Sequence, residues 1–340
     1  MHRFGLSILC LMMTFGCGVY LDFPSEGNNS QWRLLTYTDT AVFHLPKYAP
    51  IDSVVNLKGK TVYYPRTAKY FRLPASELQP GINEVSYIFY SNGKKRRSFE
   101  RLYMVSDIEP RQLTVDDYLL LKHDEDAFTQ GLLWKDGYLY ETTGLIGESS
   151  LRILNPKNGD IIRNLPLDKQ IFAEGFSWRS GEFIMLTWKD GLIYKFDAEL
   201  EQIGVFPYKH EGWGLTTTDD NVLLTSDGTY SLHYLDENFK VDSTFQVYNN
   251  RGPVHYLNEL EYIEGKVWAN VLGSDIVQVI ELTNGKVLME IDLSACIDRH
   301  RYKQAGVLNG IAYNPHDKLV YFTGKNWPYI VVWRPLFFDK

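Results

Sequence analysis

The sequence predicts an all-β chain, a five-bladed β-propeller preceded by a small β-sandwich. Three observations carry that prediction. The segments Gln130-Gly-Leu, Glu174-Gly-Phe, Trp213-Gly-Leu and Asn309-Gly-Ile each open a stretch of alternating apolar residues, and Asn258-Glu-Leu follows the same rule with the glycine replaced. Their spacing, from Gly131 to Gly175, Gly214, Glu259 and Gly310, is 44, 39, 45 and 51 residues, the period of a four-stranded blade rather than of a helical solenoid. Composition agrees: 23 Tyr, 18 Phe and 8 Trp favour strands, and no long run of Ala, Leu, Glu and Lys keeps a helical period.

In chain order, residues 1–17 read as an export signal of the lipoprotein type. Met1-His2-Arg3 supplies a positive start, and Phe4 to Phe15 forms an apolar core too short to span a bilayer as a stable helix. Gly16 before Cys17 resembles a bacterial lipoprotein cleavage site, with Cys17 as the lipid-bearing first residue, although Thr14 stands where such signals usually carry Leu. An ordinary signal peptide with an incidental cysteine is the competing reading. Residues 18–31, with Pro24, Gly27 and two Asn, serve as a flexible tether. The expectation is an exported bacterial protein, periplasmic or anchored at the outer membrane, touching the membrane only through that lipid. Cys10 lies inside the signal, so with Cys17 at its end Cys296 stands alone and no intramolecular disulfide is expected. Cys296 is read as a buried apolar filler.

Residues 32–109 change to short alternating runs beginning at Trp32, Val54, Thr61, Tyr70, Asn83 and Ser98, with turns such as Gln79-Pro-Gly and Ser91-Asn-Gly between them. The run Leu78-Gln-Pro-Gly-Ile-Asn-Glu-Val, followed by an Asn-Gly hairpin, resembles the last strands of immunoglobulin-like modules on secreted bacterial enzymes. It holds no catalytic constellation, so a spacer or docking role is expected. The basic run Lys94-Lys95-Arg96-Arg97 is read as a solvated hairpin tip; with a net charge of −7 and no basic stripe, no nucleic-acid partner is expected. Ile108-Glu-Pro-Arg reads as a linker stiffened by Pro110.

The propeller is assigned to residues 113–340. Leu113 to Lys122 reads as one strand-like run, and the fifth repeat ends early at Ile330-Val-Val-Trp-Arg-Pro. An N-terminal strand that completes the last blade would close the ring and remove both exposed edges.

Equivalent positions in a closed ring converge on its axis. The residue that opens each repeat differs, however: Gln130, Glu174, Trp213, Asn258 and Asn309. The second run of each repeat also ends in polar residues, around Thr142-Thr143, Thr187-Trp188, Thr225-Ser226, Asn270 and Thr323-Gly-Lys325, and these are expected to approach the same axis. The candidate site is therefore Phe128, Gln130, Glu174, Trp188, Trp213, Asn258, Asn309 and Lys325. Repeated Thr and Asn often satisfy turn backbone groups and Trp often packs between blades; Asn309 is given such a turn-capping role. Glu174 and Lys325 break a pattern of neutral residues, and an ionised side chain near a narrow channel needs a partner or a substrate to offset its desolvation. A purely structural Glu–Lys pair is the competing reading. His210, His233, His255 and His316 are scattered without metal-ligand spacing, so no metal and no other cofactor is expected.

From about Leu113 to Pro335 the chain resembles the plant and bacterial glutamine cyclotransferases, five-bladed propellers. The resemblance rests on His123-Asp-Glu-Asp-Ala-Phe-Thr-Gln-Gly-Leu, Tyr140-Glu-Thr-Thr-Gly-Leu, Phe172-Ala-Glu-Gly-Phe, Glu211-Gly-Trp-Gly-Leu, Leu257-Asn-Glu-Leu, Val267-Trp-Ala-Asn-Val, Val307-Leu-Asn-Gly-Ile and Phe322-Thr-Gly-Lys-Asn-Trp-Pro, in one order across all five repeats. It implies catalytic roles for Glu174, Lys325 and Asn258 and substrate contacts from Phe128, Gln130, Trp188 and Trp213. A further Trp of the family's pocket is replaced by Leu272, which keeps an apolar wall and bears on affinity and side-chain preference. The implied reaction converts the N-terminal glutamine of peptides or proteins to pyroglutamate with release of ammonia, without a metal, in a protein expected to be a monomer. The alternatives are a non-catalytic propeller gripping a peptide end or a sugar, which Leu272 favours, and a metal-dependent hydrolase or lactonase, which a single main axial carboxylate disfavours.

Overall fold

The computed structural model describes residues 33–36, 39–44, 53–56, 61–63, 70–79, 81–91 and 94–339. The export signal, Cys17 and the tether lie outside the described residues. The chain divides into two units, the second holding everything from Met104 onward together with Gln79–Ile82.

The first unit carries two sheets. A five-stranded one has the order Arg33–Leu35, Lys94–Met104, Gly81–Ser91, Ser53–Asn56, Thr61–Tyr63, and a two-stranded one pairs Thr40–His44 with Tyr70–Pro74. The alternating runs fall on these strands, whereas Thr40–His44 follows no run picked out in the sequence. The basic run opens the strand Lys94–Met104.

The second unit is built of four-stranded antiparallel meanders. Blade 1 comprises Thr129–Lys135, Tyr138–Thr143, Ser150–Leu154 and Ile161–Pro166; blade 2, Ala173–Arg179, Glu182–Thr187, Leu192–Phe196 and Gln202–Pro207. Blade 3 comprises Leu215–Thr217, Leu223–Ser226, Ser231–Leu235 and Val241–Gln246; blade 4, Leu257–Ile263, Lys266–Val271, Ile276–Glu281 and Val287–Asp292. Blade 5 has Leu308–Asn314, Leu319–Gly324 and Tyr329–Trp333, and its outer strand is Leu119–Lys122 from the start of the unit, paired antiparallel with Tyr329–Trp333. Each innermost strand neighbours the innermost strand of the next blade, and blade 5 neighbours blade 1, so the ring closes. Innermost strands are buried along almost their whole length while the outer strands of blades 1 and 2 alternate between exposed and half-buried, the gradient expected of sheets radiating from an axis. Apolar side chains fill the spaces between blades; Phe176 stacks on Phe183 at 5.1 Å in a cluster shared by blades 1 and 2. Cys296 lies buried in the cluster of blades 4 and 5, where burial pushes its thiol up to about 11, as an apolar filler requires.

Two expectations are corrected. The run Leu113–Lys122 is two strands on different blades: Arg111–Thr114 adds in parallel to Val287–Asp292 of blade 4, and Leu119–Lys122 closes blade 5. Asp117, at φ 51, turns the chain between them, a left-handed conformation that Asp tolerates better than the β-branched and leucine residues around it. The stretch around Ile108 is also not a free linker. Ser106 N donates to Asn249 O at 3.0 Å and Asp107 pairs with Lys286, so the propeller begins before Pro110.

The repeated glycines have a steric cause. A Cβ on Gly175 would lie 2.4 Å from Leu215 N, and one on Gly214 would lie 2.0 Å from Asn258 O. Innermost strands of adjacent blades touch backbone to backbone at these points, and only hydrogen fits between them. Around the same positions the innermost strands of blades 1, 2, 4 and 5 shift register against their partners, between Thr129 and Gly131, Ala173 and Phe176, Leu257 and Leu260, and Leu308 and Ile311. Such bulges re-aim a side chain that the pleat would otherwise bury in the sheet. The residues so released are Gln130, Glu174, Asn258 and Asn309.

Three of the polar residues that end second strands bond to the main chain of the next blade. Thr142 Oγ1 donates to Glu174 O at 2.7 Å, Ser226 Oγ donates to Asn258 O at 2.6 Å, and Asn270 Oδ1 accepts from Gly310 N at 2.9 Å. They hook blade 1 to blade 2, blade 3 to blade 4 and blade 4 to blade 5, at or beside the residue that opens the next repeat. Because the neighbour of Gly214 is backbone that cannot swing aside, Gly214→Ala should lower stability by about 1–3 kcal/mol, read as a fall in the urea midpoint; an unchanged midpoint would show that the hub has slack.

Candidate active site

Four residues that follow second strands occupy equivalent places in the ring. The backbone N–H of Gly144, Trp188, Leu272 and Lys325 donates to Phe128 O, Phe172 O, Tyr256 O and Val307 O at 2.8, 3.1, 2.9 and 3.0 Å. Each acceptor lies two residues before the one that opens its repeat. These clamps hold Phe128, Trp188, Leu272 and Lys325 beside the segments that lead into Gln130, Glu174, Asn258 and Asn309. Leu272 thus stands in the ring where blade 2 has Trp188 and blade 5 has Lys325.

At the centre is Glu174, buried on the innermost strand of blade 2. Its Oε1 accepts from Gln130 Nε2 at 2.9 Å, and among the described residues Oε2 has no hydrogen-bond partner. Burial pushes this carboxyl well above the ordinary carboxylate range; the charge of Lys325 opposes that shift and Glu211 adds to it. Lys325 is also buried, and burial holds its ammonium below the ordinary lysine range against the opposing pull of Glu174. Its Nζ lies 4.5 Å from the centroid of the Phe128 ring, a cation–π contact. The two groups interact through space rather than in a direct ion pair. Their proton affinities are driven toward each other, the condition for one group to release a proton that the other helps to hold.

Aromatic side chains cluster beside Gln130 and Lys325. Phe172 meets Phe128 edge-on at 6.3 Å and Trp188 at 5.3 Å. Gly144 makes room for this, since a Cβ there would lie 2.6 Å from the Phe172 ring and 2.9 Å from Gln130 Cγ. Trp213, half-buried, lies against Gly228, where a Cβ would meet its indole at 2.6 Å. At the rim, Lys189 Nζ sits 4.1 Å over Trp188 and 3.8 Å from Glu211 Oε1, while Trp213 Nε1 donates to Glu211 Oε2 at 3.4 Å. One exposed ion pair therefore ties the two indoles together. Asn258 is buried, and its Oδ1 has no hydrogen-bond partner among the described residues; the side chain is uncommitted.

The structure brings together Phe128, Gln130, Glu174, Trp188 and Lys325 by direct contact or electrostatic interaction, and places Trp213, Asn258 and Leu272 at matching ring positions. Asn309 is not a turn cap. It is wholly buried, and its Nδ2 donates to Thr129 O and Gln130 Oε1, both at 3.0 Å. Phe172, Lys189 and Glu211 were not singled out in the sequence. Phe172 had a signal, because it stands two residues before Glu174 as Phe128 does before Gln130.

A buried polar network adjoins the site. His123 follows the closing strand; its Nδ1 lies 2.9 Å from Trp327 O and its Nε2 2.9 Å from Glu141 Oε1. Both neighbours are acceptors, so both ring nitrogens carry protons when Glu141 is ionised. Burial lowers the His123 pKa, but the Glu141 carboxylate overrides it and holds the imidazole above 6.5; burial likewise raises Glu141, and His123 and Arg152 override it and hold the carboxyl below 4.5. Together with Asn326, whose N and Nδ2 donate to Ala127 O and Glu125 O at 2.7 and 2.8 Å, this pair fixes the loop before Phe128 against the loop that carries Lys325. Glu259, where the other repeats have glycine, reaches across the hub: its Oε1 accepts from Leu132 N at 3.3 Å, and burial, reinforced by Glu261, pushes its carboxyl well above the ordinary range. Among the described residues no group of three or more His, Cys, Asp or Glu side chains converges to hold a metal ion.

A five-bladed propeller whose axis ends in a buried carboxyl, a buried ammonium and an aromatic wall defines a class of small-molecule or chain-end site at the mouth of a closed β-ring. The sequence profile of the glutamine cyclotransferase family matches residues 99–333, and the chain belongs to that family. It is 38% identical over 214 residues to a glutaminyl-peptide cyclotransferase of Arabidopsis thaliana, a match covering 61% of this chain and 66% of that protein. The chain thus spans slightly less than two thirds of that relative's length. The crystal structure of Myxococcus xanthus glutaminyl cyclase superposes with a TM-score of 0.61 at 31% identity, covering 66% of this chain and 97% of that one.

The His123–Glu141 pair yields a stability prediction with a defined pH window. The raised imidazole contributes fully below 6.5 and is lost as pH rises through its folded value, and the lowered carboxyl contributes fully above 4.5 and is lost as pH falls through its own. Glu141→Gln should therefore cost about 3–5 kcal/mol, most between those two values and less at higher pH. Urea unfolding across that range is the measurement, and a uniform loss below about 1 kcal/mol would contradict it.

Proposed function

We propose that this chain is a glutaminyl-peptide cyclotransferase that closes the N-terminal glutamine of a peptide or protein onto its own side chain. The observation that carries the reading is Glu174, buried beside Lys325 and the cluster of Phe128, Phe172 and Trp188, with one carboxylate oxygen uncommitted. The nucleophile in this reaction is tethered to its target, so positioning, amine neutrality and charge stabilisation decide the rate.

Desolvation in the pocket disfavours the charged α-ammonium of the substrate, which titrates near ~8 in water, and raises the reactive amine fraction. As that nitrogen attacks the γ-carbon, a C–N bond forms and the amide oxygen gains negative charge. Lys325, with the amide NH₂ of Asn258, holds that oxygen. Glu174 takes a proton from the attacking nitrogen and returns it to the departing one, so that the old C–N bond breaks and ammonia leaves. Gln130 fixes the carboxyl, and Trp188, Trp213 and Leu272 face the substrate's remaining atoms.

Glu174→Gln and Lys325→Ala should each lower ammonia release from a Gln-initiated peptide by at least about 10²–10³ with an unchanged circular-dichroism spectrum. Near-parent turnover in either would remove the assignment. The kcat–pH profile should be narrow on both sides. Glu174 must be ionised, so activity is lost as pH falls through a value above 4.5; Lys325 must be charged, so activity is lost as pH rises through a value below 10.5. A profile with limbs at the ordinary carboxylate and lysine values would show that neither group governs turnover.

A further inference from the structure

Glu174 has two oxygens, and the geometry distinguishes them. An amide's oxygen and nitrogen have the same shape, so its partners decide which way it points. Thr129 O is a backbone carbonyl and can only accept, so the Asn309 atom 3.0 Å from it is Nδ2. The other hydrogen of that nitrogen is then directed at Gln130, 3.0 Å away, and the Gln130 atom that receives it must be Oε1. This turns the Gln130 NH₂ outward, and Nε2 donates to Glu174 Oε1 at 2.9 Å. The chain of donors runs one way, from blade 5 through blade 1 to blade 2, and its direction is set by a backbone carbonyl that cannot turn.

We propose that Asn309 is a positioning residue for the reaction: by fixing the amide of Gln130 it keeps Glu174 Oε1 an acceptor and confines the proton that Glu174 carries to Oε2. A proton on Oε1 would make that oxygen a poorer acceptor and weaken its hydrogen bond from Gln130. With Gln130 turned over, its oxygen would face Oε1, an arrangement that only a proton on Oε1 satisfies, and that proton would point away from the substrate. Asn309 excludes the second arrangement. Asn309 is wholly buried and Gln130 nearly so, so water does not readily take over the lost hydrogen bonds. The step itself balances: the attacking nitrogen forms its bond to the γ-carbon and loses one proton to Oε2, and the departing nitrogen receives that proton as its bond breaks.

The inference rests on Glu174 acting as proton carrier, and the experiment separates the two. Ammonia release from a Gln-initiated peptide is followed against pH for the parent, Glu174→Gln, Asn309→Ala, Gln130→Ala and the double variant Asn309→Ala with Gln130→Ala. Asn309→Ala is expected to lower kcat about 10²-fold, the scale of a misplaced catalytic group, with little change in KM. Its acidic limb should also move to higher pH, because the carboxylate loses a fixed donor while burial, Lys325 and Glu211, the other influences on it, stay in place. A merely structural asparagine would leave that limb where it is. Because Asn309 acts through Gln130, the double variant should be no slower than Gln130→Ala alone; multiplying losses would overturn the proposal, as would a parent-like kcat and acidic limb in Asn309→Ala. Should Asn309→Ala not fold, Gln130→Met, of similar length, removes the donor to Glu174 without placing a second carboxyl beside it. It should show the same fall and the same direction of shift, and a parent-like profile would again overturn the proposal. If Glu174→Gln stays active, the catalytic reading fails; if Glu174→Gln is inactive and Asn309→Ala is normal, the orientation lock alone fails.

Discussion

The constraint on which the rest of this propeller depends is the backbone-to-backbone approach of its innermost strands at Gly131, Gly175 and Gly214. With 2.0–2.4 Å between a notional Cβ and the neighbouring main chain at Gly175 and Gly214, the ring closes tightly enough that the residue before each glycine has no room inside its own sheet. The accompanying bulges turn that residue toward the axis. Structure and site therefore have one origin. The same packing that removes free strand edges also delivers Gln130, Glu174, Asn258 and Asn309 to one small volume.

That volume is buried, and burial sets its chemistry. A carboxyl and an ammonium buried together would each be costly alone, and what keeps them is mutual influence and a supply of fixed dipoles. Glu174 has one oxygen held by Gln130 and one uncommitted, and Lys325 sits over the Phe128 ring instead of in a closed ion pair. Groups arranged in this way can exchange a proton with a bound molecule with little reorganisation, which is the advantage of a preorganised site over water. The His123–Glu141–Arg152 network holds the loops of Phe128 and Lys325 together where the first and last segments of the propeller meet.

Much of this was legible in the sequence because it is periodic. The recurring glycine at blade spacing marked the ring, the early end of the fifth repeat marked its closure by an N-terminal strand, and the changing residue before each glycine marked the uneven axis. Glu174 and Lys325 stood out as charges in neutral positions. Less legible were features that depend on partners distant in sequence. Leu113–Lys122 looked like one strand because alternation does not record that Thr114 and Leu119 pair with different blades. Thr142, Ser226 and Asn270 were expected only to approach the axis, because nothing in their own segments shows that a neighbouring blade's backbone lies within 2.6–2.9 Å.

Sequence alone determined the all-β class, the number of blades, the closure and the identity of most side chains at the axis, since each follows from local pattern repeated five times. Tertiary structure alone decided what those side chains do to one another. Asn309 is the clearest case: by pattern it is a turn cap, and in the ring it is the residue that aims Gln130 at Glu174. The physical reason is that a hydrogen bond's direction depends on which donor or acceptor faces it across about 3 Å of space, and here the deciding group, Thr129 O, is 180 residues away along the chain.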